Sequence, residues 1–382
     1  MSHSPRLLVA ISAHGLGHLG QAAPVCQALQ RALPHLQLVV WSDLPTQTLQ
    51  RRIPGAFQHI RQPCDIGFVM HDALRVDIPG SWAKYRAREA AWSAHLSIAC
   101  DVVRNVQPDL VLSDVGELPL AAAQSLGIPD VAMSSLNWAD LATHYFAELD
   151  DAHPVLSRLR HIYDHTCLAI RLTPGMPMRG RRECIVPPVA AISTQARPQL
   201  QAQIKSLLPP ALRERPLLLI GMGGIETPLP LATWPEQTEI TFLVANQRQL
   251  SGNDLPEQGI INADWLQEAS GLRFTDLLTA SDAILCKPGY GTFTEAALAG
   301  IPLLYVPRTD WPEQAVLLAW LHANARCAAL SADDLMRGHL RSAFHALLSQ
   351  PVSTTLPRNG ADIAATEILR LLDARLSHAL DN

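Results

Sequence analysis

The chain has 382 residues, of which 48% are apolar and 17% charged, and its formal net charge at pH 7 is −5. This composition predicts a globular protein with room for two domains of ordinary size, and it excludes a disordered chain. The acidic balance gives no basic surface for nucleic acid, so we expect no nucleic-acid partner.

Seven cysteines are scattered along the chain, and none is spaced as a CxxC pair. Their odd number and irregular spacing argue against a disulfide framework and against a zinc site. The apolar runs are too short for a signal-peptide core or a membrane-spanning helix. We therefore expect a cytoplasmic protein with no transmembrane segment and no metal ion.

Apolar runs alternate with helical stretches through the N-terminal half of the chain. Predicted strands cover residues 6–12, 36–43, 108–114, 128–135 and 168–174. Predicted helices cover residues 21–33, 82–106, 119–127 and a region around 140–166. Continuous apolar strands alternating with helices are typical of a parallel sheet that is covered on both faces.

The same alternation restarts after a proline-rich segment, residues 182–193, which we interpret as a linker. Strands are predicted within residues 215–224, 239–246, 282–286 and 301–307, and helices at 274–281, 292–300 and 364–380. The predicted fold class is α/β, with two doubly wound Rossmann-like domains facing each other across a cleft. We place these domains at residues 1–195 and 196–358, and expect a C-terminal helix within 359–382 to pack back on the first domain.

A glycine pattern follows the first predicted strand. Gly15, Gly17 and Gly20 spell GxGxxG, and Asp43 ends the next strand, as in a dinucleotide-binding turn. Such a turn needs a bare backbone against pyrophosphate, and an imidazole at His18 is unusual there. The alternative is that the turn presents His18 to take a proton from a hydroxyl group, since histidine is suited to this near neutral pH. A third interpretation is that His18 only contacts the first turn of the helix.

Asp114 ends the third predicted strand of this half. Because the carboxyl ends of parallel strands meet at one edge of the sheet, its carboxylate could orient His18 and stabilise the protonated ring. The alternative is a turn or an N-cap for the following helix.

The segment 287–314 runs from the end of a predicted strand into a helix and then through a second strand and a loop. Gly289 and Gly291 open the helix, so backbone N–H groups and the positive helix end favour an anion there. Glu295 could present its carboxylate to ribose hydroxyls, or it could close a capping box with Thr292.

An acid–amide pair, Glu313 and Gln314, follows Pro312 at the end of the same segment. The pair could bind the hydroxyl groups of a sugar. It could also be no more than the solvated first turn of a helix.

At these residues the chain resembles nucleotide-sugar glycosyltransferases of the two-Rossmann-domain GT-B type. The sequence KPGYGTFTEA is similar to the donor-binding signature of UDP-glycosyltransferases, although that family usually has aspartate where this chain has Glu313. The resemblance implies that Lys287 and the glycine turn bind diphosphate, Glu295 ribose, the acid–amide pair the sugar, and Phe274 the base. The implied donor-binding residues are Gly17, Gly223, Gly224, Phe274, Lys287, Gly289, Tyr290, Gly291, Thr292, Glu295, Glu313 and Gln314.

The N-terminal SAHGLGH is similar to the glycine–histidine loop of that family, which is also seen in the peptidoglycan N-acetylglucosaminyl transferase. This resemblance implies that His18 is the catalytic base and Asp114 its partner. It also suggests acceptor-binding residues at Asn137, Trp138 and His144. A closer resemblance runs through nearly the whole chain to the glycosyltransferase-like N-terminal region of plant arabinokinases.

The sequence therefore predicts an inverting, metal-independent glycosyltransferase that moves a hexosyl-type group from a nucleotide diphosphate sugar to an acceptor hydroxyl. No cofactor is expected beyond the donor, for which a UDP-sugar is favoured, and the acceptor is not identified. A lipid acceptor would bring the protein to a membrane surface. Three alternatives stay open: a sugar-nucleotide epimerase, a non-catalytic nucleotide-sugar-binding protein, and a dinucleotide oxidoreductase that uses the N-terminal glycine pattern.

Overall fold

The computed structural model describes residues 4–72, 74–224, 228–236, 239–247, 258–308, 310–351 and 355–380. The described residues divide into two compact units. Those of unit 1 fall within Met1–Val69, Val76–Val189 and Pro357–Asn382. Those of unit 2 fall within Met70–Arg75 and Ala190–Leu356.

Unit 1 is built on a parallel sheet whose strand order is β3-β2-β1-β4-β5-β6-β7. Its strands are β1 (Arg6–Ile11), β2 (Gln37–Trp41), β3 (Gln58–Ile60), β4 (Leu110–Asp114), β5 (Asp130–Ser134), β6 (Leu168–Leu172) and β7 (Glu183–Val186). Residues of β1, β4 and β5 are buried almost without exception, since helices cover both faces of the sheet. This explains why their sequences are continuous apolar runs.

The helices of unit 1 connect these strands and carry the chain back across the sheet. They are α1 (Gly17–Ala32), α2 (Thr46–Arg52), α3 (Ile78–Ala90), α4 (Trp92–Val106), α5 (Glu117–Ser125), α6 (Trp138–Phe146) and α7 (His153–Asp164). The C-terminal helix of the chain, Gly360–Leu380, also belongs to this unit and packs on α1 and β7.

Unit 2 repeats the design with the strand order β10-β9-β8-β11-β12-β13. Its strands are β8 (Leu217–Gly221), β9 (Thr241–Val244), β10 (Ile260–Asn262), β11 (Ala283–Cys286), β12 (Leu303–Tyr305) and β13 (Cys327–Ala329). Its helices are α8 (Arg197–Leu207), α9 (Ala263–Ser270), α10 (Phe274–Ala280), α11 (Tyr290–Ala299), α12 (Glu313–Asn324), α13 (Ala332–Arg337) and α14 (Arg341–Leu348), and we number the C-terminal helix α15.

In both sheets the strand order reverses between two central neighbours, β1 and β4 in unit 1 and β8 and β11 in unit 2. Ligands of doubly wound sheets bind outside the carboxyl ends of the strands at this reversal. The predicted α/β class, with its two doubly wound sheets, is confirmed.

Among the differences from the prediction, two lie in long stretches of unit 1. The predicted helix 82–106 is two helices, α3 and α4, which meet at Ala91, a residue with φ −109° and ψ 17°. The predicted linker 182–193 contributes strand β7, because residues before its two prolines pair in parallel with β6. Proline cannot continue a ladder of backbone hydrogen bonds, so the strand ends at Val186, directly before them. Within the described ranges, no helix combines the length and apolarity needed to cross a bilayer.

Candidate functional site

His18 lies at the carboxyl end of β1, where the chain turns into α1. Gly15 has a positive φ of 76°, which glycine adopts without a steric penalty, and α1 begins two residues later at Gly17. His18 is therefore the second residue of α1, and its side chain is buried. The predicted helix began later, at residue 21. The glycine pattern thus forms the turn and the first turn of the helix itself.

The structure brings His18 and Asp114 together. His18 Nδ1 lies 2.8 Å from Asp114 Oδ1, and Asp114 ends β4, the strand beside β1. Burial raises the pKa of Asp114 to about 6, and the hydrogen bond to His18 acts in the opposite direction. The carboxylate is consequently the charged form at neutral pH, and it holds the Nδ1–H tautomer of the ring.

The three predicted acceptor residues occupy different surroundings. Asn137 is the N-cap of α6: its Oδ1 accepts from the backbone N–H of Asp140 at 2.8 Å. Trp138 is completely buried and packs edge-to-face on His18, with ring centroids 5.5 Å apart. His144 is exposed and packs on Tyr145. Of the three, His144 is the one whose side chain faces solvent.

In unit 2, Lys287 lies between two glycine turns at the reversal of the sheet. Gly223 follows β8 with a positive φ of 90°, and a Cβ at that position would lie 3.2 Å from Lys287 Cε. A Cβ at Gly289 would lie 4.0 Å from the Lys287 ammonium nitrogen. The absence of a side chain at Gly223 therefore gives the lysine room beside the end of β8.

Burial lowers the pKa of Lys287 to about 8, and the nearby charge of Arg308 lowers it further while Glu313 raises it. The charges of Arg308 and Glu313 therefore both act on the Lys287 ammonium. Arg308 is almost completely buried, and its guanidinium carbon lies 4.3 Å above the ring of Trp311. A partly buried ammonium favours an anionic ligand nearby, because the charge of such a ligand stabilises the protonated lysine.

Helix α11 begins at Tyr290 directly beside Lys287, and Gly289 precedes it with no side-chain cap. A Cβ added at Gly291 would meet open space, so the first turn is not covered by neighbouring atoms there. An N-terminus of this kind presents backbone N–H groups to an anion. Thr292 is the third residue of α11, and its side chain is half-buried.

Glu295 does not close a capping box. Because α11 begins at Tyr290, Thr292 is inside the helix and cannot act as its N-cap, so that alternative is wrong. Glu295 lies in the second turn and is buried.

The acid–amide pair opens α12, but it is not a solvated first turn. Glu313 is buried, and its Oε2 accepts from Trp311 Nε1 at 3.0 Å. Gln314 bonds the backbone of Arg308 through both ends of its amide, at 2.5 Å for the N–H and 2.5 Å for the carbonyl. Gln314 therefore closes the loop that carries Arg308, which is a different use of the amide from the predicted sugar contact.

Phe274 is the first residue of α10 and lies against the end of β8, where a Cβ at Gly221 would come within 3.0 Å of its ring. Its ring is partly exposed at the same sheet edge as Gly223 and Gly224. Across the described ranges, no three His, Cys, Asp or Glu side chains are grouped to hold a metal ion.

The comparisons with known proteins agree with these two sheets. No protein-family model matches the sequence. The kitacinnamycin glycotransferase superposes with a TM-score of 0.57 at 12% identity, over 98% of this chain and 96% of that one. A UDP-glucosyltransferase from Polygonum tinctorium that glucosylates indoxyl gives 0.56 at 15% identity, over 98% and 99%. Glycosyltransferase VinC, solved with dTDP, gives 0.51 at 19% identity, over 97% and 95%.

The chain has the GT-B glycosyltransferase fold. The predicted resemblance to that structural class is confirmed. Among curated proteins, L-arabinokinase of Arabidopsis thaliana is 24% identical over 359 residues, which are 93% of this chain and 33% of that protein. The chain thus spans about a third of the length of this relative, in agreement with the predicted resemblance to part of an arabinokinase.

Sequence analysis missed two residues that border the sites. Arg308 follows β12 in the loop before the acid–amide pair, and a basic residue in a loop carries no signal by itself. Asp65 lies in an irregular segment of unit 1, where Trp138 Nε1 donates to its Oδ2 at 2.8 Å. Arg308 and Asp65 can be recognised as site residues only from their contacts in the folded structure.

Proposed function

We propose that the protein is an inverting, metal-independent glycosyltransferase that uses a nucleotide diphosphate sugar. The observation that carries this proposal is the buried His18–Asp114 pair at the strand reversal of unit 1. With Nδ1 bonded to the carboxylate, Nε2 is the ring nitrogen that can take a proton from an acceptor hydroxyl. Asp114 then stabilises the imidazolium that forms.

The donor diphosphate is assigned to unit 2. Lys287, Arg308 and the N-terminus of α11 supply positive charge at one sheet edge, and Gly223 and Gly289 keep that edge free of side chains. A diphosphate with two or more negative charges would be attracted to these cations. The fold neighbours include proteins named for UDP and solved with dTDP, which supports a nucleotide donor, and we favour a UDP-sugar.

Three acidic or aromatic side chains are proposed to bind the other parts of the donor. We assign Glu295 to the ribose hydroxyls, Glu313 to the sugar, and Phe274 to the base. Gln314 acts on the sugar indirectly, since its amide holds the Arg308 loop beside Glu313.

The reaction follows from these assignments. The acceptor oxygen attacks the anomeric carbon from the side opposite the diphosphate, so the new C–O bond forms with inversion as the bond to the leaving oxygen breaks. The acceptor proton passes to His18 Nε2. The electron pair of the broken bond leaves with the nucleoside diphosphate, where Lys287 and Arg308 stabilise the developing charge.

The first experiment identifies the donor. A thermal-shift panel of nucleotide sugars should show one base and sugar that raise the melting temperature most, because a ligand that binds only the folded state stabilises it. The donor found in this way then serves in a transfer assay with a range of acceptor alcohols and phenols.

The second experiment tests the base. His18→Ala should abolish transfer and leave the dissociation constant of the nucleoside diphosphate unchanged, because the two functions lie in different units. Undiminished turnover by the variant would refute the assignment of His18. If the protein converts the donor alone into an epimer, its proposed function becomes epimerisation and not transfer.

A non-catalytic nucleotide-sugar-binding protein is the second candidate. One observation favours this candidate: both ends of the Gln314 amide are hydrogen-bonded to the backbone of Arg308. It predicts a donor that stabilises the wild type, together with no transfer or hydrolysis in any acceptor mixture.

A further inference from the structure

Trp138 lies between two histidines of unit 1. Its indole is 5.5 Å from the His18 ring at an interplanar angle of 71°, and 5.4 Å from the His14 ring at 80°. Both are edge-to-face contacts, an arrangement that aromatic rings favour over face-to-face stacking. The indole is completely buried, so an acceptor cannot reach it without displacing its neighbours.

Hydrogen bonds hold both the indole and the backbone of Trp138. Its Nε1 donates to Asp65 Oδ2 at 2.8 Å, and the backbone N–H of Trp138 donates to the Tyr163 hydroxyl at 3.4 Å. That hydroxyl in turn donates to the carbonyl of Val115, the residue after Asp114, at 2.5 Å. The backbone of Trp138 is therefore tied to the same strand end that carries the carboxylate partner of His18, while Asp65 holds the indole.

We propose that Trp138 and Asp65 are positioning residues for His18. Asp114 fixes one edge of the imidazole through its hydrogen bond to Nδ1. The indole packs on the ring and restricts its rotation about that contact, which helps define the direction of Nε2. The catalytic part of this inference rests on the proposed function, whereas the positioning of the ring does not.

Asp65 contributes charge as well as geometry. Its negative charge is felt at Asp114, where it opposes ionisation of that carboxyl group and raises its pKa. Asp65 bonds the indole that packs on His18, so its charge lies near that ring, and a nearby negative charge favours a proton on an imidazole. His14 is the other titratable group on this indole, and it repels that proton when it is itself charged.

Three substitutions separate these effects. Asp65→Asn keeps an oxygen that can accept from Trp138 Nε1 and removes the charge. Asp65→Ala removes the oxygen and the charge. Trp138→Phe keeps an aromatic ring and removes the donor. Trp41→Phe is the matched control, since Trp41 is equally buried in the core of unit 1 on β2 and makes no described ring contact with either histidine.

The first readout does not depend on activity. Nitrogen-15 shifts of selectively labelled histidines, with His18 identified by the loss of its signals in His18→Ala, report its pKa and tautomer. We expect Asp65→Asn to lower the pKa of His18 and keep the tautomer. We expect Asp65→Ala and Trp138→Phe to broaden or split the ring signals as well. Trp41→Phe should leave both properties at wild-type values.

The second readout uses the donor and acceptor found by the transfer assay. Asp65→Ala and Trp138→Phe should lower kcat by about tenfold or more with KM for the donor within about twofold, because a misplaced base slows chemistry and not donor binding. Asp65→Asn should restore much of the loss of Asp65→Ala and shift the acidic limb of the pH–rate profile.

The outcomes are distinguishable. His18 signals that are unchanged in all three variants would overturn the positioning role, whatever the activity. Changed signals in a protein without transfer activity would uphold the positioning role and defeat the proposed function instead. A matching loss in Trp41→Phe would reduce Trp138 to an ordinary core residue and overturn the proposal.

Discussion

The affinity of the protein for a nucleoside diphosphate should fall as the pH rises above 8. Lys287 has its pKa lowered to about 8 by burial and by Arg308, so the free protein loses this positive charge within the accessible pH range. The terminal phosphate of a nucleoside diphosphate is already ionised above pH 7. A change in affinity between pH 7 and 9 therefore reports on the protein.

The size of the effect follows from the pKa of Lys287. If only the protonated lysine binds the diphosphate, the apparent dissociation constant rises about tenfold between pH 7 and 9, which is about 1.4 kcal/mol. A bound diphosphate stabilises the ammonium and raises its pKa in the complex, so the weakening levels off only above that raised pKa. Binding at pH 8 should accordingly take up a fraction of a proton.

Isothermal titration calorimetry with UDP, in buffers of different ionisation enthalpy, measures both the affinity and the proton uptake. Lys287→Arg keeps a cation that does not titrate in this range, and should bind with a flat pH profile. Lys287→Met should bind weakly at every pH. A wild-type affinity that stays constant from pH 7 to 9, or a slope that persists in Lys287→Met, would refute the argument.

Three further predictions concern stability. Gly223→Ala forces a Cβ into a left-handed conformation, at a cost of about 1–2 kcal/mol, and should lower both the melting temperature and UDP affinity, whereas Gly291→Ala faces open space and should leave the melting temperature unchanged. Burial raises the pKa of Glu117 to about 7, so the wild type loses stability as the pH rises from 4.5 to 7. Urea denaturation should therefore show Glu117→Gln gaining about 2–3 kcal/mol on the wild type between pH 5 and 8, and a constant difference would contradict this. On α15, Ile368→Ala should cost about 2–4 kcal/mol because Ile368 is fully buried, whereas Asp362→Ala, which removes an exposed ion pair with Arg31, should cost less than about 1 kcal/mol in the same assay.

The central strands could be predicted because buried strands are rich in apolar residues. Strand β4 is buried at every residue, so its sequence is a short apolar run between turn residues. Strand β7 was missed, since its four residues alternate exposed and buried positions at an edge of the sheet and two prolines follow. The predicted helix divides at Ala91, where the sequence has no glycine or proline to mark a break.

The candidate sites could be predicted only in part. The position of Asp114 at a strand end next to β1 follows from the parallel topology, which is why its proximity to His18 could be anticipated. The bonds of Gln314 to the Arg308 backbone could not, because the conformation of an irregular loop depends on contacts that have no period in the sequence. The same holds for Asp65, which reaches Trp138 from a segment without regular structure.

The two glycine-rich turns look alike in sequence, but their charges give them opposite uses. At the start of α1, the buried His18 side chain is bonded to Asp114, so a diphosphate placed there would lie beside a buried carboxylate. At the start of α11, the Lys287 ammonium lies beside Gly289, and the charge of Arg308 acts on it. A helix N-terminus favours an anion in both cases, but a full negative charge in a buried setting outweighs the half-charge of a helix end. This comparison argues against the dinucleotide interpretation of the first turn and supports the proposed anion site at the second.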